Sequence, residues 1–487
     1  MLTIGDWQKG VNESPLYGHA SIVGCDIFDT PGVLKISPAT TLDFTPTGLL
    51  LSQVIGTDGA TYSLYDDGKF YKDSTLLTTL SNANDLLSFR DYILFTHGAV
   101  NSYIGTYGPF SSPYLSTTTF ALSSGSDVYF KKLLISEDKI FIGNGGYVAK
   151  IETNTWTTGT STTPPTASPV LTALALPSNV YCSTLENIGN YLAVGTQQGR
   201  NHGDRFNYNY ANIILWDRFS STSQKIIQIK ERGMNAMVST GNLLYFSAGN
   251  KGNIYMSDTT EFKKIKRIPF SNKKAYSYAY VYPNAMTFSG TGTLLIGTSS
   301  TDYQSYYAHG LWELDQNDTP TKNNAGYALA LKHVVSNGAM GKTKIFKIGC
   351  VTTFSLESIT IGWQSGTTKG VDALGITPYK NFVAYAESEL VSVGSMNNQK
   401  TFKTVEYRLF EPLVQGQQIR ISYRKNTVDD YTPIYTATYT NTDNGAVSHQ
   451  FPATMTDLET VQFKIELDAG TAPIYPNNVS FIQLMAY

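Results

Sequence analysis

The fold is decided by a short pattern that recurs along the chain and is clearest in the sequence DKIFIGNGGYVAKI, residues 138–151. A short apolar strand runs into a glycine-containing turn, and a second β-rich strand follows. The same pattern occurs at six other places, residues 51–65, 91–107, 190–217, 242–258, 293–315 and 358–374. Repeats of roughly 40–55 residues built of short strands are typical of the blades of a β-propeller.

The physical reason for a ring is that a four-stranded sheet with two apolar faces cannot bury both of them alone. Stacking several such sheets around an axis buries every face and leaves only short edges. The repeat therefore predicts an all-β fold, with a propeller of about seven blades across residues 39–395. We expect the glycine of each repeat to provide the positive φ that a tight hairpin requires.

The two ends of the chain differ from the repeat. Residues 1–38 precede it and predict an N-terminal arm with one strand that could close the ring. Residues 396–487 instead alternate apolar and polar side chains over five short segments separated by turns. Such alternation predicts a small antiparallel β-sandwich with one buried face per sheet.

Composition excludes several classes of protein. Charged residues make up 15% of the 487 residues, and the net charge is −2, so a general attraction for nucleic acid is not expected. The hydrophobic fraction of 41% is too high for a disordered chain. The N-terminus lacks the features of a secretory signal, and no apolar run is long enough to span a membrane. Cys25, Cys182 and Cys350 are predicted to be buried free thiols.

Two polar insertions occupy the same place in two repeats, residues 197–210 and 302–309. Both should project on one rim of the propeller, where aromatic, Arg and Asn side chains favour contact with a protein or a sugar. The alternative is that they pack on neighbouring loops. The candidate contact residues are Arg200, His202, Arg205, Phe206, Tyr208 and Tyr210 in the first insertion, and Tyr303, Tyr306, Tyr307 and His309 in the second.

Motifs for catalysis, metals and cofactors are weak. The stretch from Gly341 to Thr343 resembles the end of a phosphate-binding loop, but it lacks the earlier glycine that such a loop needs. Loop carboxylates could in principle assemble a glycosidase site, and the candidates are Glu186, Asp204, Asp258 and Asp302. The basic cluster at residues 263–267 is interpreted as a protected edge strand rather than a DNA-facing patch. We therefore expect no enzymatic activity, no cofactor and no metal.

Taken with this layout, several short segments resemble tail proteins of tailed bacteriophages. They are DWQKGVN at residues 6–12, PGVL at residues 31–34 and the stretch from residue 370 to residue 425. A propeller followed by a short β-sandwich also matches that class.

The resemblance implies a non-enzymatic structural protein of the virion, made in the host cytoplasm and placed in the tail as a nozzle, tail-tip or ring component. It implies a homo-oligomer, in many cases a hexameric ring, that docks other tail proteins, with nucleic acid only as a passenger in the lumen. Two alternatives stay open. One is an adhesin that binds host-surface glycan or a receptor through the two insertions, and the other is a propeller glycoside hydrolase acting on host polysaccharide.

Overall fold

The structure is a computed structural model that describes residues 1–5, 7, 19–30, 32–98, 102–122, 131–198, 210–268, 279–300, 310–316, 326–336, 346–355, 358–380, 383–395, 398–426, 429–439, 448–470 and 480–487. Within these ranges the regular secondary structure is β-strand, apart from short 3₁₀ turns such as Thr153–Thr155. The predicted all-β fold is confirmed. The chain forms two compact units, a sandwich unit of residues 1–41, 306–341 and 374–487, and a propeller unit of residues 42–305 and 342–373.

Forty strands make up the described chain. The first five are β1 (Leu2–Ile4), β2 (His19–Val23), β3 (Cys25–Asp26), β4 (Leu34–Ile36) and β5 (Pro38–Phe44). The next eight are β6 (Leu50–Ile55), β7 (Thr61–Tyr65), β8 (Lys69–Lys72), β9 (Thr75–Thr79), β10 (Asp85–Phe89), β11 (Tyr92–His97), β12 (Tyr103–Gly108) and β13 (Tyr114–Ala121). They are followed by β14 (Leu133–Ser136), β15 (Lys139–Asn144), β16 (Tyr147–Glu152), β17 (Pro169–Ala175), β18 (Val180–Ile188), β19 (Tyr191–Gln198), β20 (Ala211–Trp216) and β21 (Lys225–Ile229).

The strands of the following region are β22 (Met234–Thr240), β23 (Leu243–Ala248), β24 (Asn253–Ser257), β25 (Phe262–Arg267), β26 (Ala279–Phe288), β27 (Leu294–Ser300), β28 (Gly310–Asp315), β29 (Ala328–Val334), β30 (Phe346–Thr353), β31 (Ile359–Ser365) and β32 (Thr368–Pro378). The last strands are β33 (Ala384–Ser388), β34 (Val391–Ser392), β35 (Lys400–Leu409), β36 (Gln418–Arg424), β37 (Thr432–Thr438), β38 (Ser448–Leu458), β39 (Thr460–Asp468) and β40 (Ser480–Ala486).

The propeller unit is a closed ring of seven sheets. Strands β6–β25 form five four-stranded antiparallel sheets in sequence order. The sixth sheet contributes β26 and β27 to this unit, and β30 to β32 form the seventh. The first strand of each sheet packs on the first strand of the next, and β30 packs on β6, so the ring closes after seven blades.

The hydrophobic cores of the propeller unit lie between blades. One core joins Tyr62 and Phe70 of the first blade to Ile93 and Phe95 of the second. Further cores join the second blade to the third, the third to the fourth and the fourth to the fifth. Each sheet is thus buried by its neighbours, as the physical argument for a ring predicts.

The repeat glycines differ from the prediction in their role. Among them, Gly98 and Gly249 have positive φ and directly follow β11 and β23. By contrast, a Cβ at Gly362 of β31 would lie 2.4 Å from the Cβ of Leu50, on the first strand of the next blade. A Cβ at Gly195 of β19 would similarly lie 2.7 Å from the Cγ of Met234. These glycines let the next blade approach closely, a function that their sequence spacing did not reveal.

The sandwich unit is built from both ends of the chain. One sheet has the order β3-β4-β40-β35-β38, with β1 also pairing with β40. The second sheet contains β37, β36, β39, β33, β2 and β29 in that order. Tyr407 of the first sheet is buried, and its ring centroid lies 6.3 Å from that of Tyr435 in the second. The predicted antiparallel sandwich is therefore present, but it is not confined to the C-terminal residues.

The unit boundaries differ from those predicted at residues 38 and 396. The N-terminal arm supplies β1 to β4 to the sandwich unit, whereas the strand beside β32 of the seventh blade is β5. Residues 306–341 leave the propeller unit and contribute the hairpin of β28 and β29 to the sandwich unit. Pairings between segments so distant in sequence leave no periodic signal. For this reason the alternating pattern placed the start of the C-terminal unit at residue 396, whereas its last segment begins at residue 374.

Candidate functional site

The predicted rim residues fall mostly outside the described residues. This holds for Arg200, His202, Arg205, Phe206 and Tyr208 of the first insertion, and for Tyr303, Tyr306, Tyr307 and His309 of the second. Tyr210 is described and is 41% exposed, directly before β20. The insertions follow β19 and β27, each the second strand of its blade. Their role in binding stays a prediction.

A cavity of about 270 Å³ lies on the axis of the propeller unit. Its lining comes from the first strands of the blades or the residue just before them, with contributions from all seven blades. The polar and charged lining residues are Ser52, Gln53, Asp85, Lys132, Glu186, Asn284, Thr287, Thr352 and Thr353. We call this space the axial cavity.

Asp85 is the centre of a buried hydrogen-bond network at this cavity. Its Oδ1 accepts a hydrogen bond from Ser52 Oγ at 2.8 Å and another from Asn284 Nδ2 at 2.8 Å. Its Oδ2 accepts one from the backbone N–H of Leu133 at 2.9 Å and forms an ion pair with Lys132 at 3.5 Å. Both carboxylate oxygens are therefore engaged by groups from other blades.

Lys132 and Asn284 extend the network across the axis. The Lys132 ammonium donates to Asn284 Oδ1, and Asn284 Nδ2 also donates to the carbonyl of Leu51 at 2.8 Å. The network thus connects the first, second, third and sixth blades. Because each polar group is satisfied by a different blade, the network fixes the spacing of the blades around the axis.

Glu186 of β18 presents a second, less satisfied carboxyl group. Its Oε1 accepts hydrogen bonds from the backbone N–H of Asn187 at 3.0 Å and from Ser239 Oγ at 3.2 Å. Burial raises the pKa of Glu186, and the Asn187 amide, the Lys132 charge and Ser239 only partly oppose that effect. No partner of Oε2 is found within the described parts of the chain.

The remaining wall of the axial cavity is largely apolar. Met237, Val238, Met286 and Val351 line it, together with Pro283. Cys350 also lines it, and burial raises the pKa of its thiol to about 11. All three cysteines are buried and free, as predicted.

Of the other acids considered for glycoside hydrolysis, Asp258 does not join Glu186. Asp258 lies at the end of β24 in a fully exposed turn, where hydrogen bonds from Thr260 and Glu261 lower its pKa to about 2. Asp204 and Asp302 lie outside the described residues, as does the stretch from Gly341 to Thr343. In the described ranges, no group of three or more His, Cys, Asp or Glu side chains is arranged to hold a metal ion.

The basic cluster lies on the outermost strand of its blade. Residues 263–267 fall in β25, the last strand in the order β22-β23-β24-β25. This position agrees with the interpretation as a protected edge and places the cluster far from the axis.

Sequence reasoning missed Ser52, Asp85, Lys132 and Asn284. Each is a polar residue in or just before an apolar strand, and the four are brought together only by ring closure. The available signal was the recurrence of polar residues in the first strand of successive repeats. Glu186 was considered only as a loop acid, whereas it belongs to the first strand of the fourth blade.

Comparison with known proteins concerns the fold alone. No family model and no curated protein matches the chain. Similar solved structures include the Neurospora crassa Pan2 WD40 domain, which is 10% identical with a TM-score of 0.41, over 70% of this chain and 95% of that chain. The WD40 propeller of Doa1 is 14% identical with a TM-score of 0.40, over 69% and 96% of the two chains. The Dos1 propeller is 12% identical with a TM-score of 0.42, over 75% and 94%.

No helix in the described part of the chain is long and apolar enough to span a membrane. The chain is a β-propeller protein with an additional β-sandwich unit.

Proposed function

We propose that this protein is a non-enzymatic structural component of a bacteriophage tail, acting as a nozzle, tail-tip or ring subunit. It would assemble as a homo-oligomer and dock other tail proteins. The observation that carries the proposal is the network around Asp85, in which Asp85 and Lys132 at the axis are held in contacts between blades.

Two further features support a structural role. Within the described lining of the axial cavity, both Asp85 oxygens are engaged, so a pair of open carboxylates of the kind used by glycosidases is not available there. The segments at residues 6–12, 31–34 and 370–425 resemble tail proteins, and low charge with many tyrosines suits large, partly polar interfaces.

The test is to locate the chain in particles. Virions of the source phage are purified and analysed by mass spectrometry, and immunogold electron microscopy with an antibody to this chain marks its position. We expect the chain in the particle, with label confined to the tail. In parallel, light scattering of the purified protein should give a mass that is a multiple of 53.5 kDa.

Three outcomes would count against this role. The chain could be missing from purified virions, or the purified protein could remain a monomer while cleaving a host polysaccharide. Binding of a host-surface glycan that is lost on Tyr210→Ala would instead favour the adhesin.

A further inference from the structure

We propose that the axial cavity is a binding site for a primary ammonium group carried on a short aliphatic stem, with Glu186 as its counter-ion. The inference is independent of the assembly role proposed above, because it rests on the cavity of the propeller unit alone. The carboxylate oxygen Oε2 of Glu186 has no hydrogen-bond partner within the described parts of the chain.

The charge balance of the described lining favours a cation. Lys132 and Asp85 form an ion pair, so their charges largely cancel. Ionised Glu186 then leaves the lining with one unmatched negative charge. Its Oε1 already accepts two hydrogen bonds, but a carboxylate can accept about four in total. A ligand that donates N–H groups and carries a positive charge satisfies both needs.

The shape and chemistry of the wall specify the rest of the ligand. Met237, Val238, Met286 and Val351 offer apolar contact to methylene groups, and methionine side chains adapt to irregular shapes. Within the described ranges, no group of three or more His, Cys, Asp or Glu side chains is arranged to hold a metal ion, so the lining suits an ammonium better than a coordinated metal. The group could come from a free alkylamine or from a lysine side chain of another protein.

The presence of a glutamate at position 186 also needs an explanation. Burial raises its pKa, which means that the ionised side chain opposes folding. A glutamine would fill the same space without that penalty. A side chain that costs stability at a cavity wall is expected where binding requires it.

The experiment uses the full chain with ¹³C-methyl-labelled methionine, and NMR follows the Met237 and Met286 methyl signals during titration with n-butylammonium. Met237→Leu and Met286→Leu spectra assign the signals. We expect saturable shifts with n-butylammonium and none with 1-butanol, which has a similar shape but no charge. Glu186→Gln should weaken binding at least about tenfold, the usual effect of losing a charge-assisted hydrogen bond. Glu261→Gln, at an exposed position, should leave binding unchanged.

Two additional arms sharpen the result. An N-acetylated, C-amidated Gly-Lys-Gly peptide tests whether the ammonium can arrive on a protein side chain, and tighter binding than n-butylammonium identifies that source. Weaker binding than n-butylammonium identifies a free amine. Acidification should weaken binding of either probe, because protonation removes the Glu186 charge. The other titratable groups that face the cavity are Asp85, Lys132 and Cys350.

The inference is overturned if n-butylammonium gives no saturable shift, if 1-butanol shifts the same signals equally, or if Glu186→Gln binds as tightly as the wild-type chain. Because the Gln variant removes a penalty, it should fold at least as well as the wild-type chain, and circular dichroism checks this.

Discussion

At the residue scale, the propeller depends on a small residue in the second strand of successive blades. Gly143, Gly195, Gly297 and Gly362 lie there, and an added Cβ would meet atoms of the next blade within 2.7 Å at each of them. In the second blade the equivalent position is Thr96, whose Oγ1 donates to the carbonyl of Lys131 just before the next blade. Close approach of neighbouring blades is therefore encoded by side-chain size.

Gly195→Ala should destabilise the propeller unit. Its Cβ would lie 2.6 Å from Thr184 Cγ2 and 3.0 Å from Met237 Sδ, so a packed core must shift. Overpacking of this kind costs about 1–3 kcal/mol, and the midpoint of urea unfolding measures it. The matched control is Gly146→Ala, where the nearest atom would be 3.9 Å away. Equal midpoints for the two variants would contradict the role of Gly195.

Glu186→Gln should stabilise the protein at neutral pH. A carboxyl group whose pKa is raised by folding contributes stability below its ordinary pKa, and this contribution is lost as pH rises through the raised value. Glutamine does not titrate, so its advantage over Glu186 should appear with rising pH and vanish in acid. Urea titrations across this range check the prediction, and an advantage that is largest in acid would refute it.

At the scale of elements, the outer edges of the blades are protected in different ways. Register shifts interrupt the outermost strand pairs of the first, second, third and fifth blades. The corresponding pair of the fourth blade is regular, and Lys225 begins its edge strand β21. Bulges and lysines both discourage a further strand from pairing there. The lysines of β25 could be interpreted correctly from sequence, whereas the bulges could not, because they depend on register.

Within the sandwich unit, a buried ion-pair cluster joins three strands. Lys332 of β29 lies 2.7 Å from Asp26 of β3 and 2.8 Å from Glu313 of β28. Burial alone would raise the pKa of Asp26, but the Lys332 charge and backbone N–H groups hold it below its usual value. The cluster attaches an N-terminal strand to a hairpin about 300 residues later in the chain.

Lys332→Met should remove the cation that Asp26 and Glu313 share and destabilise the sandwich unit by about 3–5 kcal/mol at neutral pH. The lowered pKa of Asp26 stabilises the wild-type chain at pH values above the ordinary pKa of an aspartate, and this stabilisation is lost in acid. The difference in the free energy of unfolding between the two chains should therefore narrow as the pH falls. Urea unfolding at neutral and at acidic pH measures the free energy of unfolding of both chains. Lys35→Met is the control, since its partner Asp29 is 67% exposed. A difference that grows in acid would contradict the assignment.

At the scale of the whole molecule, the sequence could predict the repeated elements but not the contacts between segments that are distant in the chain. The blade period and the number of blades follow from local patterns of apolar strand and turn. The pairing of β1 with β40, and the meeting of Asp85, Lys132 and Asn284, bring together residues that have no periodic relation. The polar contacts depend on closure of the propeller ring, and the strand pairing depends on assembly of the sandwich unit. Neither leaves a local pattern in the sequence.

Phe481→Ala should loosen the sandwich unit selectively. Phe481 is fully buried, and its ring packs on Trp7 and on Tyr407 with centroids 6.0 and 6.4 Å away. Removing a buried Phe side chain costs about 3–5 kcal/mol. Amide hydrogen exchange should accelerate in β1, β35 and β40 and stay unchanged in β11 and β15. Phe410→Ala, at a position 47% exposed, is the control. Uniform acceleration across the chain would contradict the division into two units.

The antiparallel pairing of Leu2 with Ala486 has a mechanical consequence. A pulling force applied at Leu2 and Ala486 would act on the same end of two antiparallel neighbouring strands. Their hydrogen bonds would therefore break one after another rather than all at once. Tension would peel β1 from β40 before it loaded any other strand, and the three-residue β1 would yield first.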